Sequence, residues 1–322
     1  MDFQLSDDQR ALRSGMRDLL GAAFDRDGLR AAVERGGGVD RGLWRELGAA
    51  GFFALRLPEE SGGVGLGLPE AVLLFEEAGR ALLPGPLVAT HLAAGLVKGA
   101  AEGEAVVTAS QGGCLPVADL RGADAVLVAG GVLTGEELAA FVAGARPVRS
   151  MDPLTPLHRA EGLVAAAEAY PGALRGEGAL LTAAEQLGSA ARTTEMAVQH
   201  ARTREQFGSL IGSFQAVKHL CADMLARTEP ARGAVYAAAV TGDPVEIAAA
   251  KLLADDAAVR NARDCLQIHG GMGFTWEADV HLHLKRAWLR AARWLSAAEA
   301  EEILAAGLGP VRPLYGGSAA LG

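Results

Sequence analysis

The sequence predicts a mainly α-helical protein with a small β insert, and three observations carry that prediction. From about Ala179 onward, apolar residues recur at helical spacing over long stretches joined by short connections. The segment before Ala105 also reads as helices, each with a capping residue or a proline at its start. Between the two, short runs rich in Val and Ala, separated by glycines, replace the helical period with a β-like one.

Composition bounds the function classes. At 322 residues and 33.1 kDa the chain can bury a large core, and its length suggests two or three domains. Hydrophobic residues are 50% and charged residues 21%, the balance of a globular chain. A net charge of −9 argues against a nucleic-acid surface, which needs a basic patch to neutralise phosphates. One or two placed arginines can still bind a pyrophosphate locally. The opening Met1-Asp2-Phe3-Gln4-Leu5 lacks the basic and apolar regions of a signal peptide, and the apolar stretches are too broken to span a membrane. Cys114, Cys221 and Cys265 lie far apart without ligand spacing, as expected of free thiols in a reducing cytoplasm.

Taken in order, Ser6 is a candidate N-cap, Asp7 and Asp8 favour the first turn, and Leu12, Met16, Leu19 and Leu20 form a stripe. Asp40 can cap a helix that faces Leu43, Trp44 and Leu47 inward and ends at Gly51. Arg56 to Gly67 reads as a loop: its glycines lack the leading strand and trailing acidic residue of a dinucleotide fingerprint. Pro69-Glu70 opens an apolar helix that stops near Pro84-Gly85-Pro86, and a short helix covers Val88 to Val97. Ala105–Ala109, Ala125–Ala129, Val132–Thr134 and Ala145–Arg149 are the β-like runs. In the C-terminal half, Leu180, Ala184 and Leu187 lead a long helix toward Gln206. Ser213 caps a second, carrying Val217, Leu220, Met224 and Leu225. Asp243-Pro244-Val245-Glu246 is a capping box for a third that ends at Gly270-Gly271. A fourth runs from about Glu277 to Leu295, with a short tail helix after Ser296. Four such helices argue an antiparallel bundle.

Candidate binding residues gather at the ends of these helices. Arg204 and Gln206 stand where one helix stops, and a planar guanidinium suits a bidentate grip on a pyrophosphate. Gln215 lies one turn into the next helix, and Gln267 precedes Gly270-Gly271, where backbone without a Cβ can approach a flat ligand. Taken singly, each also reads as a surface charge, a solvated amide or a helix stop. In combination they match a pattern. Arg204-Glu205-Gln206-Phe207-Gly208, Phe214-Gln215-Ala216-Val217-Lys218-His219, Ala222-Asp223-Met224 and Gln267-Ile268-His269-Gly270-Gly271-Met272-Gly273-Phe274-Thr275 resemble the C-terminal bundle of the acyl-CoA dehydrogenase family. Pro58-Glu59-Glu60 with Gly62-Gly63, and Glu76-Glu77-Ala78-Gly79-Arg80, resemble its N-terminal helices.

The resemblance implies an acyl-CoA dehydrogenase-like fold: an N-terminal helical domain over residues 1–103, a reduced middle β domain over 104–165 and a C-terminal four-helix bundle over 166–322. It also implies FAD shared between subunits, with Arg204, Gln206, Phe207, Gln215, Gln267, Gly270 and Gly271 serving the pyrophosphate and adenosine of a neighbour's flavin. Three departures qualify it. The β region is shorter than the family's barrel, and no Thr-Glu-Pro-x-x-Gly-Ser-Asp-like segment meets the flavin ring; Thr108-Ala109-Ser110-Gln111-Gly112-Gly113 stands there. The segment that carries the family's catalytic glutamate reads Arg293-Trp294-Leu295-Ser296, and the alternative position of the base falls on Gly178. Removing an α-proton needs a base within about 3 Å. No catalytic residue is therefore expected; Glu177, one residue from Gly178, is the fallback. Glu185, a weaker candidate, is expected to meet a partner or solvent. The sequence thus resembles the small subunit of the α2β2 acyl-CoA dehydrogenases of actinobacteria. The implied partners are a full-length dehydrogenase subunit carrying the glutamate, an acyl-CoA or steroid-CoA thioester, and an electron-transferring flavoprotein. A self-sufficient homo-oligomer using Glu177 and a non-enzymatic helical scaffold stand as alternatives.

Overall fold

The computed structural model describes residues 4–111, 115–160 and 172–308. Cys114, Gly112-Gly113, the opening Met1-Asp2-Phe3 and the boundary drawn between residues 165 and 166 lie outside them. Five helices open the chain: α1 (Asp7–Ala23), α2 (Arg26–Glu34), α3 (Arg41–Ala49), α4 (Leu68–Arg80) and α5 (Leu87–Ala93). Ser6 and Gln9 form the reciprocal box at the start of α1, and Asp40 accepts from Gly42 N and Leu43 N to cap α3. The sequence reading passed over α2, whose cap Asp25 accepts from Gly28 N. The fifth helix ends at Ala93, short of Val97. Trp44, Phe52, Phe53 and Phe75 are fully buried and tilt or stand edge-on to one another at 4.8–5.3 Å between centroids.

The middle region is mixed rather than purely β. One sheet places β1 (Val107–Ala109) parallel to β3 (Ala125–Val128), which pairs antiparallel with β4 (Gly131–Leu133). A second runs β2 (Val117–Ala118), β6 (Leu157–Ala160), β5 (Ala145–Val148). Between them lies α6 (Gly135–Ala143), a helix that the alternating texture concealed; it seats Phe141 beside Val117 and Val126.

The C-terminal half is the antiparallel bundle: α7 (Gly172–Thr203), α8 (Gln215–Thr241), α9 (Pro244–His269) and α10 (Val280–Ala291), followed by α11 (Ala297–Gly307). Four local expectations change. Ser213 does not cap α8; its hydroxyl donates to Leu210 O, and the N-cap is Phe214 with no side-chain bond. Asp243 caps α9, but Glu246 turns back to accept from the Thr241 hydroxyl at 2.7 Å, so the box is one-sided. Leu225 is exposed, and α10 stops at Ala291 because Trp294 takes a left-handed φ of 62°. Among the described residues no helix is long and apolar enough to cross a membrane.

The two helical halves lock through α4 and α7, which cross closely because each is glycine at the contact. A Cβ on Gly79 would lie 2.0 Å from Glu185 O, and one on Gly188 would lie 1.8 Å from Glu76 O. The acidic and basic residues around Gly79 then fan outward. Glu77 takes a two-point grip from Arg17 of α1 at 2.6 and 2.8 Å, Glu76 accepts from Tyr236 of α8 at 2.6 Å and pairs with Arg232, and Arg80 reaches Glu195 of α7 at 2.6 Å. Two substitutions separate this contact from helix propensity. Gly188→Ala should lower stability by at least about 2 kcal/mol, because backbone rather than a flexible side chain meets the new methyl. Gly15→Ala, on an open face of α1, should raise it by about 0.5–1 kcal/mol. Urea denaturation of the two variants beside the parent measures both.

Candidate functional site

The antiparallel order of α7, α8, α9 and α10 brings the C-terminus of α7, the N-terminus of α8, the C-terminus of α9 and the N-terminus of α10 to one end of the bundle. Between α7 and α8 the chain forms a tight hairpin, β7 (Glu205–Gln206) against β8 (Ser209–Leu210), with Phe207 and Gly208 both at positive φ as a two-residue primed turn requires. Arg204 O accepts from Ile211 N at 2.8 Å and closes the neck. Beneath the hairpin, His200 and His269 stack with ring centroids 4.1 Å apart, and the His269 ring meets Cys265 O at 2.8 Å. Burial, its stacked neighbour and Arg204 lower the pKa of His200.

All seven sequence-predicted binding positions are at this end, and all seven are exposed. Arg204, Gln215 and Gln267 make no side-chain hydrogen bond or ion pair among the described residues, while Gln206 bonds only its neighbour's carbonyl, Glu205 O. Gly270 holds φ 61° and ψ −141°, a conformation that a side chain disfavours, and nothing lies within 4 Å of a Cβ built on Gly270 or Gly271. Backbone there is open to a flat ligand. Phe207 is 93% exposed and Phe274 82%, with Phe214, Met272 and Trp276 also projecting. Solvated cationic and amide groups inside such an apolar collar form a surface suited to an anionic, partly aromatic ligand and to a protein that covers it.

The positions that would carry chemistry lie elsewhere, around a cleft of about 90 Å³ where α5, β1, β2, α7 and α10 meet. The two places searched for a catalytic carboxylate turn out to be one place. The Trp294 ring packs on Gly178 so closely that a Cβ there would lie 2.3 Å from it. Trp294 N donates to Gln111 Oε1 at 2.9 Å and Trp294 O accepts from Arg175 at 2.7 Å, fixing the indole as one wall of the cleft. The fallback Glu177 is engaged by Arg56 at 2.7 and 3.0 Å. Glu185 is not at a surface: it is buried in the cleft wall and accepts from Arg290 at 2.8 Å, burial raising its pKa against the pull of Arg290 and Arg286. Sequence reasoning missed Asp119, Arg286 and Arg290. Burial pushes the Asp119 carboxyl up to about 7, opposed by Arg286 and Arg293. The available signal was Arg286 and Arg290 four residues apart, on the face of α10 that Leu282 buries, and Glu185 inside the apolar stripe of α7.

Comparison with known proteins agrees with the fold. Residues 6–102 match the family model described as acyl-CoA dehydrogenase, N-terminal domain, and residues 175–300 match its C-terminal domain. The chain is 36% identical over 296 residues to acyl-CoA dehydrogenase IpdE2 of Mycobacterium tuberculosis, covering 87% of this chain and 91% of that one. It is 35% identical to acyl-CoA dehydrogenase FadE34 of the same organism over 88% of this chain but only 45% of that protein. Among solved structures, butyryl-CoA dehydrogenase of Megasphaera elsdenii superimposes with a TM-score of 0.78 at 20% identity, covering 96% of this chain and all of that one. A variant of the Tcur3481-Tcur3483 steroid ACAD gives 0.79 at 24% identity, covering 94% and 99%. For the Arg56–Glu177 pair, whose side chains are just over a quarter exposed, Glu177→Gln should cost no more than about 1 kcal/mol. A structural role for Glu177 in its pair with Arg56 would also leave acyl-CoA turnover within about two-fold, whereas a role as the α-proton base would abolish it. Melting and steady-state rates of the variant check both.

Proposed function

As this chain belongs to the acyl-CoA dehydrogenase family, we propose that it is the half-site subunit of a heteromeric, FAD-dependent acyl-CoA dehydrogenase in the cytoplasm. The reading rests on one contrast. The groups suited to a pyrophosphate and an adenosine stand exposed at the end of the bundle, while Trp294 on Gly178 fills the place where a base would act. Arg204 would hold the pyrophosphate of an FAD shared with a full-length partner, Gln206 and Gln215 would donate to its oxygens and adenosine edge, and Gln267 with Gly270-Gly271 would let backbone approach it. Phe207 and its apolar neighbours exclude water from the junction, which strengthens each charged contact. When bound, FAD would supply the hydride acceptor for α,β-dehydrogenation of the thioester, the partner's glutamate would take the Cα proton, and an electron-transferring flavoprotein would serve as the electron acceptor.

The division of the chain into residues 1–103, 104–165 and 166–322 belongs to the same proposal: the outer two make the interface, and the middle one is too short to hold a flavin ring. An α2β2 assembly follows, since two such half-sites close against two full-length subunits. The substrate is an acyl-CoA, and the likeness to a structure described as a steroid ACAD supports a steroid-CoA thioester. In this reading the acyl pocket lies on the partner, together with the glutamate that acts on the thioester.

The visible spectrum tests this. Expressed alone the chain should be colourless; co-expressed with a longer dehydrogenase that carries the glutamate, it should yield a yellow complex active on acyl-CoA. Arg204→Ala with Gln267→Ala should weaken FAD binding to that complex at least about 100-fold, since two contacts to a charged group are lost. A yellow, active homo-oligomer, or full FAD retention in the double variant, overturns the reading.

A further inference from the structure

We infer that the stacked imidazoles of His200 and His269 are a positioning pair for the proposed half-site. They clamp the end of α7 that bears Arg204 to the end of α9 that bears Gln267 and Gly270-Gly271. Arg204 hangs directly from His200: its N donates to His200 O at 2.9 Å, and its own O accepts from Ile211 N at the hairpin neck. His269 is the last residue of α9, and Gly270 N donates back to Gln267 O. The two rings lie 4.1 Å apart between centroids and only 16° from parallel. The His269 ring is fixed by its Nδ1–H, which donates to Cys265 O at 2.8 Å. Displacing either ring thus displaces a helix end and the binding groups attached to it.

Little else ties these two ends together. Among the described residues, the last polar bonds between α7 and α9 are made by Asn261, whose amide reaches Ala190 O at 3.4 Å and Thr194 Oγ1 at 3.1 Å. From Asn261 to His269 the helix runs about 12 Å further, at 1.5 Å per residue. The side chains that α7 buries over the same stretch, Ala197 and Ala201, are small, so the rings supply the broad contact. The His200 ring makes no hydrogen bond among the described residues, which leaves its face as the part in use. Burial first, then His269 and Arg204, hold the His200 pKa below its ordinary value. Its ring is therefore neutral at neutral pH, and two like charges do not oppose each other across the stack.

The pair acts through Arg204 and Gln267, so the inference rests on the proposed half-site, and two measurements separate their failures. Hydrogen exchange of the full chain, in the oligomer in which it purifies, needs no flavin. His200→Ala should speed exchange of the amides of residues 204–211 and 267–272 together by about five-fold, the scale of one aromatic contact. His200→Phe, which keeps a flat ring and removes the ionisable nitrogens, should leave both stretches within about two-fold of the parent. FAD affinity of the co-expressed complex is then measured in a cycle of His200→Ala and Arg204→Ala. Arg204→Ala should cost about five-fold less in the His200→Ala background, because the arginine is already misplaced there, and His200→Phe should hold FAD as the parent does. Unchanged exchange, additive losses in the cycle, or a His200→Phe as weak as His200→Ala each overturns the pair. Weakening by Arg204→Ala but not by His200→Ala refutes the pair alone; no weakening by Arg204→Ala refutes the half-site and the pair with it. Should His200→Ala not fold, His269→Ala serves the same comparisons.

Discussion

The contact on which the rest of the molecule depends is the crossing of α4 over α7. Its closeness is set by two glycines, Gly79 and Gly188, each lying on the other helix's backbone. At that separation no side chain fits between the two backbones, so the neighbouring Glu76, Glu77 and Arg80 reach past the crossing to α8, α1 and α7. Glu76 and Glu77 are almost completely buried, and burying carboxylates is tolerable only because arginine and tyrosine partners meet them. The Glu-Glu-Ala-Gly-Arg segment is thus a structural bolt rather than a piece of catalytic machinery. It orients α7, and α7 in turn sets where Gly178 stands at one end and where Arg204 stands at the other.

From that orientation the geometry of both ends follows. Toward its start, α7 faces α10 across the cleft, and the pair Glu185–Arg290 ties the two helices in a dry interior. Toward its end it runs out of the bundle into the hairpin, where Phe207 and Gly208 need positive φ. A phenylalanine bearing that conformation while 93% exposed is costly to an isolated chain. The cost is understandable if a second polypeptide packs against it. The loop ahead of α10 is steadied in the same spirit: Arg26 and Arg30 of α2 hold Asp279 and the Glu277 carbonyl, and Lys285 lies 4.3 Å over the Trp276 ring. The loop carrying Trp276 is thus tied to α2 and α10.

Much of this was legible in the sequence, for identifiable reasons. Long helices announce themselves by a period that many residues share, and Ser6, Asp40 and Asp243 mark starts because their oxygens reach orphan backbone N–H groups. Arg204, Gln215 and Gln267 are far apart in sequence, yet antiparallel topology alone is enough to bring them to one end. What escaped was what only packing decides. A helix, α6, hides in a stretch whose Ala and Val suit either period, and Ser213 was outcompeted for the cap by its own bond to Leu210 O. The buried ion pairs escaped too, since Asp152 and Arg286 come from segments with no reason to meet until the middle region folds against α10.

Trp294 and Gly178 meet in a single packed contact, the indole lying on a residue that has no Cβ. Two positions 116 residues apart in sequence are thus one place in the fold. A base at either place would occupy the same volume, and the indole takes it only because residue 178 has no Cβ. Trp294 also pays with a left-handed φ, held by hydrogen bonds at both its N and its O. Neither substitution alone would be tolerated: Trp294 against any larger residue 178 would clash, and Gly178 without the indole would leave a void in the α7–α10 seam. The pair is therefore coupled, and restoring a carboxylate at one position without shrinking the other would cost stability before it gained any chemistry.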